Sequence, residues 1–444
     1  MSNGLYSGQS GLSLGIGLYR YVSGLWSGAS GLVTGDGASL YLNFLAGAPL
    51  DSRITFTRSS TATFVGSDGL IQTAAVNGPR FDYNPANLTA KGLLIEEQRT
   101  NLLLYSAQFN NAAWTKSNST VTVDATVSPD GTSNADKIVE AATTSIHDVR
   151  RNSTASASTA YTQSIFVKAA ERTKIQLQMF GNTGGSTVNF DLVAGTVNVA
   201  GAYGGWSSSS GTITSFGNGW YRLTNTSTTN VGLTAVTSAF LLADAAGNAT
   251  YTGNGTSGMF YFGAQLEAGA FATSYIPTVA AQVTRSADIA TMTGTNFSSW
   301  FNASTGTFVA NFEASPNQYA TYIAASNGVV GQNSVHFDND SGGAMRAVYY
   351  SGSVAQAILS LGAYGTAGTI NTVASAYAVN DFAASRNGGA VVTDTSGALP
   401  VSLTQFNIGA DPSGAAVNVT NTHIRSIVYY PTRLTDAQLQ SLTA

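Results

Sequence analysis

The chain has no cysteine, which excludes a disulfide scaffold and any thiolate metal site and leaves stability to packing or assembly. Charge is scarce too: 9% of the 444 residues are Asp, Glu, Lys or Arg, against roughly 25% in an average soluble domain. Long exposed helices draw their wet face from those residues, so a helical architecture is disfavoured. Basic residues number 19 against 23 acidic, a formal net charge of −4, with Arg150-Arg151 the longest basic run; that excludes a phosphate-tracking surface and predicts no nucleic-acid partner. No apolar run approaches the roughly 20 residues of a membrane span, which predicts no membrane insertion. Met1-Ser2-Asn3-Gly4 lacks the basic start and apolar stretch of a secretory signal peptide.

What is present instead is Gly (48 residues), Ser, Thr, Ala and Asn, with 20 Tyr and 20 Phe. Such a composition suits short strands and turns, and the length exceeds what one core organises. The fold class predicted is all-β: two tandem antiparallel β-sandwiches behind a Gly-rich N-terminal anchor and a connector module. The boundaries read 1–39 (repeat), 40–100 (connector), 101–280 (first sandwich) and 281–444 (second sandwich).

In the first segment, Gly4–Gly15 (GLYSGQSGLSLG) and Gly24–Gly35 (GLWSGASGLVTG) agree at eight of twelve positions, at an offset of 20. Glycine this dense cannot hold an independent core, yet Leu5, Tyr6, Leu12, Leu25, Trp26 and Leu32 recur too regularly for a solvated linker. Two readings stand: a flexible tail, or an anchor whose apolar residues dock on a partner or on symmetry copies, a homotrimer first. From 101 on, strand patterns come at intervals of roughly 10 to 20 residues, among them 161–168, 174–179, 220–225, 258–267, 306–313 and 423–430. In the first, Ile165 and Val167 face one way and Ser164, Phe166 and Lys168 the other. Thr435 to Leu442 carries the cap and acidic first turn of one short terminal helix.

The stretches Phe56–Thr63 (FTRSSTAT), Gly92–Leu102 (GLLIEEQRTNL) and Gly263–Gly269 (GAQLEAG) resemble a family of phage and prophage virion structural proteins with carbohydrate-binding-type jelly rolls. The C-terminal part separately resembles concanavalin A-like, laminin-G-like domains, through Ser385-Arg386-Asn387-Gly388-Gly389, Asn407-Ile408-Gly409-Ala410 and Leu434 to Leu439. The resemblance implies a fold and a particle setting: a tail fibre, spike or head-decoration protein at the virion surface, made in the host cytoplasm, with other virion proteins as partners. It does not carry a sugar specificity, because ligand loops vary freely on this scaffold.

For chemistry the sequence offers little. His147, His336 and His423 have no second histidine at metal-ligand spacing. Glu96-Glu97 is the most conspicuous carboxylate pair, but neighbours in a strand point to opposite faces, so a structural role is the better account. No catalytic residue and no cofactor is predicted. Sugar binding needs exposed aromatic platforms, and Tyr203-Gly204-Gly205-Trp206-Ser207 fits, with Tyr203 and Trp206 as candidates; a Trp206 tucked onto the sandwich edge is the competing reading. Trp114 and Trp220 read as core. Asp338, Asn339 and Asp340 place oxygen ligands close together as a calcium site would, although Asx-rich turns without metal are commoner. The leading function is non-enzymatic attachment to host-surface or environmental glycans, weak per site and strengthened by many copies. The alternatives are a purely structural capsid, neck or tail component and, third, a polysaccharide depolymerase.

Overall fold

A computed structural model describes residues 37–181, 183–317 and 319–444. Leu5, Tyr6, Leu12, Leu25, Trp26 and Leu32 lie outside the described residues. Every strand pair described is antiparallel, and the sheets form two β-sandwiches, as the composition predicts.

One sandwich is built from both ends of the described chain. Its first sheet runs in space Val392–Asp394, Asp381–Arg386, Ile370–Ala378, Gly306–Glu313, Thr422–Tyr430, Ala90–Ile95 and Phe81–Tyr83. The facing sheet runs Thr55–Thr57, Ile289–Thr293, Gln405–Ile408, Ala320–Ser326, Ser334–Asn339, Ala344–Ser351 and Val354–Ala363. In the expected strand at Gly306–Glu313, Phe308, Ala310 and Phe312 alternate into the core. There they meet Leu40, Leu42, Phe44, Phe56, Leu93 and Ile95.

Residues 40–100, read from the sequence as a connector, therefore supply strands of this sandwich. Leu40–Asn43 pairs with Ser426–Tyr429 and Leu93–Ile95 with Thr422–Ile424, in succession along one edge of the last long strand. The cause is visible in the residues: these short strands alternate apolar side chains that need a core of their own and have none locally. The terminal helix Asp436–Thr443 starts at a capping box formed by Thr435 and Gln438; Leu439 is buried while Leu442 is exposed.

The other sandwich, within 101–280, is inserted between Ile95 and Ile289 and is closed at its base by a two-stranded ribbon, Arg99–Asn101 with Val283–Arg285. One of its sheets runs Ser207–Ser215, Trp220–Thr228, Ala160–Ala169, Gly258–Ala268, Ala135–Glu140 and Ser119–Thr126. This sheet is covered on both sides. Ile165 and Val167 enter the main core, as expected, and Phe166 enters a second cluster with Trp220, Phe262 and Tyr275. Ile71 packs against that cluster from the 40–100 segment, and its amide donates to the Pro129 carbonyl at 2.8 Å.

The remaining sheet runs Thr196–Tyr203, Gly184–Asp191, Lys174–Gly181, Ala235–Ala243, Asp148–Thr154 and Thr115–Ser117. Ile175, Leu177 and Met179 point inward and are fully or almost fully buried, each worth roughly 1.5–3 kcal/mol relative to exposure. Between them Lys174, Gln176 and Gln178 point outward and are partly exposed. This sheet leaves one open, polar face.

Candidate functional site

The open face is organised by two adjacent glycines and one extra residue. At Gly184 a Cβ would stand 2.5 Å from the Trp206 indole on the inner side, and at Gly185 it would stand 3.0 Å from the Tyr203 hydroxyl on the outer side. Successive residues of a strand face opposite ways, so the Gly-Gly pair clears room for Trp206 within the core and for Tyr203 across the outer surface. Tyr203 is 57% exposed and Trp206 only 5%. The expectation that both form a platform is corrected for Trp206: its indole is packed in the main core, where burying so large an apolar surface outweighs leaving Nε1 without a partner among the described residues. Trp114 and Trp220 are buried as expected.

Tyr203 shares its face with a row of amides. Gly185 pairs with Tyr203, Thr187 with Gly201 and Asn189 with Asn198, and the register shifts between Thr187 and Val188, leaving Ala200 unpaired. Asn198 and Tyr203 are five positions apart and would point to opposite faces of a regular strand; the bulge at Ala200, with Gly201 at a φ of +102°, brings them to the same one. Gln176 pairs across the sheet with Asn189, and Gln178 with Thr187. Gln178 Nε2 donates to Gln176 Oε1 at 3.3 Å, and Gln176 Nε2 to the Gly247 carbonyl at 3.2 Å.

A depression of about 270 Å³ lies at the far end of the row, lined by Gln176, Asn189, Asp191, Asn198 and Lys174. Lys174 Nζ stands 3.0 Å from Asp191 Oδ2, and Asn189 Oδ1 has no hydrogen-bond partner among the described residues. Four residues of strand separate Gly185 from Asn189, so Tyr203 and the depression are ~13 Å apart. An aromatic ring at one end and amide donors and acceptors at the other match a chain of sugar rings, which offer apolar faces and hydroxyl rims. Gln176, Gln178, Asn189 and Asn198 were not picked out by motif reasoning. The alternation of Lys174, Gln176 and Gln178 with Ile175, Leu177 and Met179 was the available signal.

The calcium expectation meets a different arrangement. Asp338 and Asn339 close the strand Ser334–Asn339, and only Asp340 lies in the turn. Asp338 accepts from Arg346 Nε at 3.0 Å and Nη2 at 2.6 Å, and Asp340 Oδ1 accepts from the Gly342 and Ala344 amides, each at 2.9 Å. Asn339 Nδ2 donates to the Asn317 carbonyl at 2.9 Å. The guanidinium stands where a cation would, and among the described residues no group of three or more His, Asp or Glu could hold a metal. No helix among them is long and apolar enough to cross a membrane.

The three stretches that carry the family resemblance converge on one buried ionic cluster. Arg58 Nη1 donates to Asp288 Oδ1 at 3.0 Å, and Arg80 donates to Glu96 Oε2 at 2.6 Å and to the other oxygen of Asp288. Arg285 Nη1 stands 2.9 Å from Glu96 Oε2 and donates to Thr273 Oγ1 at 3.1 Å. Thr273 Oγ1 in turn donates to Glu267 Oε2 at 2.7 Å. The side chains of Arg58, Arg80 and Asp288 are 0% exposed. Burial pushes the Glu96 carboxyl up, but Arg285, Arg80 and hydrogen bonds from Ser274 outweigh it and hold the group well below the usual carboxylate range. Glu97 points away, to Arg99 and Asn421. Glu96 thus has the structural role expected of it, joining the two sandwiches.

No protein-family model and no curated protein matches the chain. Among solved structures, the CBM40 domain of the Ruminococcus gnavus IT-sialidase, bound to α2,3-sialyllactose, aligns at 17% identity over 34% of this chain and 87% of that one, with a TM-score of 0.30. The NanB sialidase of Streptococcus pneumoniae aligns at 14% identity over 34% of this chain and 26% of its own, at a TM-score of 0.29. Domains LG4-5 of the mouse laminin α1 chain align at 10% identity over 64% of this chain and 87% of theirs, at 0.22. Likenesses this distant say nothing about ligand, and the functional reading rests on the chain's own residues.

Proposed function

We propose that the chain is a non-enzymatic glycan-binding protein of a phage-type particle surface, and that the open face of the inserted sandwich is its binding surface. The observation that carries the binding reading is the bulge at Ala200, which places Tyr203 and Asn198 on one face, with the Tyr203 ring laid over Gly185. A strand edge needs no such irregularity to pack; one that aligns an exposed aromatic ring with an amide row suits an oligosaccharide lying along the strands. The face holds few charges, so each site binds weakly and many copies are needed for firm attachment. The particle setting is supported by the three stretches resembling virion proteins. The anchor at 1–39, assembling as a trimer or docking on other virion proteins, belongs to the same proposal.

Glycan-array binding by the fluorescently labelled full chain tests this. Retention of oligosaccharides at high surface density, lost at low density, is expected. Binding to no glycan at any density would favour a purely structural role.

A further inference from the structure

We propose a second ligand site, a groove beside the ribbon that joins the two sandwiches, which takes a carboxylate-bearing sugar on Arg99. The groove encloses about 590 Å³, and its walls include Gln98, Arg99, Thr154, Ser156, Gln282 and Thr284. That volume is in the range of small-ligand pockets. Thr100 and Thr284 hydroxyls meet across the ribbon at 2.8 Å, which fixes its floor. Gln98, Thr154, Ser156, Gln282 and Thr284 are exposed.

Arg99 is the charged group of this wall, and it is built in. The residue is 8% exposed. Its guanidinium lies 4.9 Å from the centre of the Phe271 ring, in space that exists because residue 269 is glycine: a Cβ there would stand 1.5 Å from Arg99 Nη1. Nη2 faces Glu97 Oε1 at 2.5 Å. Nε is buried without a hydrogen-bond partner among the described residues. A guanidinium held against a ring and a glycine, and paired on one side with the partly exposed Glu97, is pre-organised to receive a second carboxylate. Leu102, Ala155, Tyr161 and Ala268 complete the lining, so the groove offers apolar surface together with hydroxyls and amides, which suits the apolar face and hydroxyl rim of a sugar ring. Arg99 and Gln98 lie in one of the stretches that carry the family resemblance, and Gly269 closes another.

This site is separate from the open face and does not rest on that reading. The test compares glucuronate with glucose, which differ by one carboxylate, in ligand-observed NMR titrations of the full chain. Glucuronate is expected to bind about tenfold more tightly than glucose, and to weaken several-fold as added salt screens the charge. Arg99→Gln should abolish the difference between the two sugars. Because Arg99 also packs on Gly269, Gln98→Ala serves as the second variant: it should weaken glucuronate several-fold with an unchanged melting temperature. Tyr203→Ala should leave glucuronate binding intact, which separates this site from the open face. Equal affinity for the two sugars, no binding of glucuronate, or a folded Arg99→Gln that still prefers glucuronate would overturn the proposal.

Discussion

Asp288→Asn is the sharpest perturbation of the buried ionic cluster, because the side chain keeps its shape and loses only its charge and one acceptor. In the wild type, Asp288 Oδ1 accepts from Arg58 at 3.0 Å, while Oδ2 accepts from Arg80 and from the Glu96 amide, the latter at 2.9 Å. An asparagine leaves two guanidiniums, both with side chains 0% exposed, short of a counter-charge, and turns an NH₂ group toward one of their donors. Removing one partner of a buried ion pair costs about 3–5 kcal/mol. For cooperative units of 150–250 residues, each kcal/mol moves the melting temperature by ~2–4 °C, so a fall of about 6–20 °C is expected. Differential scanning calorimetry of the full chain reads it. Both sandwiches should be affected, since Ser274, which holds Glu96, comes from the inserted sandwich and Arg58 from the other. A shift under about 2 °C would refute the claim that this cluster joins them.

Trp206→Ala should cost about 3–5 kcal/mol of stability, as for other buried aromatic residues, seen as a lower urea midpoint; an unchanged midpoint would put the indole back at the surface. Glu96 has a depressed pKa in the folded state, so its contribution is present above the carboxyl's unfolded value, ~4.3, and is lost as pH falls toward the folded one. The stability gap between wild type and Glu96→Gln should therefore shrink as pH drops below about 4, and a gap constant from pH 7 to pH 2 would contradict this. His423, between Glu313 at 2.8 Å and Asp82 at 2.9 Å, has the opposite sign. Burial and Lys91 lower its pKa, the two carboxylates raise it by more, and the net shift is upward. Its contribution is full below ~6.5 and lost as pH rises through the folded value; His423→Gln should cost more at pH 5.5 than at pH 9, and equal costs would show no such linkage. A chain cut to residues 281–444 should not fold, because the last long strand loses both short partners and the core loses Leu40, Leu42, Phe44, Phe56, Leu93 and Ile95; a cooperative thermal transition of that fragment would contradict the nested architecture.

The fold class was legible because the scarcity of charge and the abundance of Thr, Val, Tyr and Gly act locally, on every strand. Strands such as Gly306–Glu313 were readable from alternation alone. Membership was not: nothing local in Leu40–Asn43 says that its partner lies almost 400 residues away. Pairing partners at such distances are set by the assembled core. The site was half legible. Tyr203 and Trp206 look equivalent in sequence, and only the Gly184-Gly185 pair on the neighbouring strand assigns one to each face. The Ala200 bulge is invisible to a period-two reading, although a glycine inside the strand at 201 was its one hint. Arg58, Glu96 and Glu267 were noticed as motif letters without any sign that they meet.

The claim that the open face binds glycan is tested most directly by two variants against whichever array glycan the full chain retains. Tyr203→Ala removes the ring, and Asn198→Ala removes the amide that the bulge brings to the same face. Both should lower surface-plasmon binding at least several-fold, the first without a change in melting temperature, since a side chain 57% exposed contributes little to the core. Wild-type binding by both Tyr203→Ala and Asn198→Ala would contradict the account.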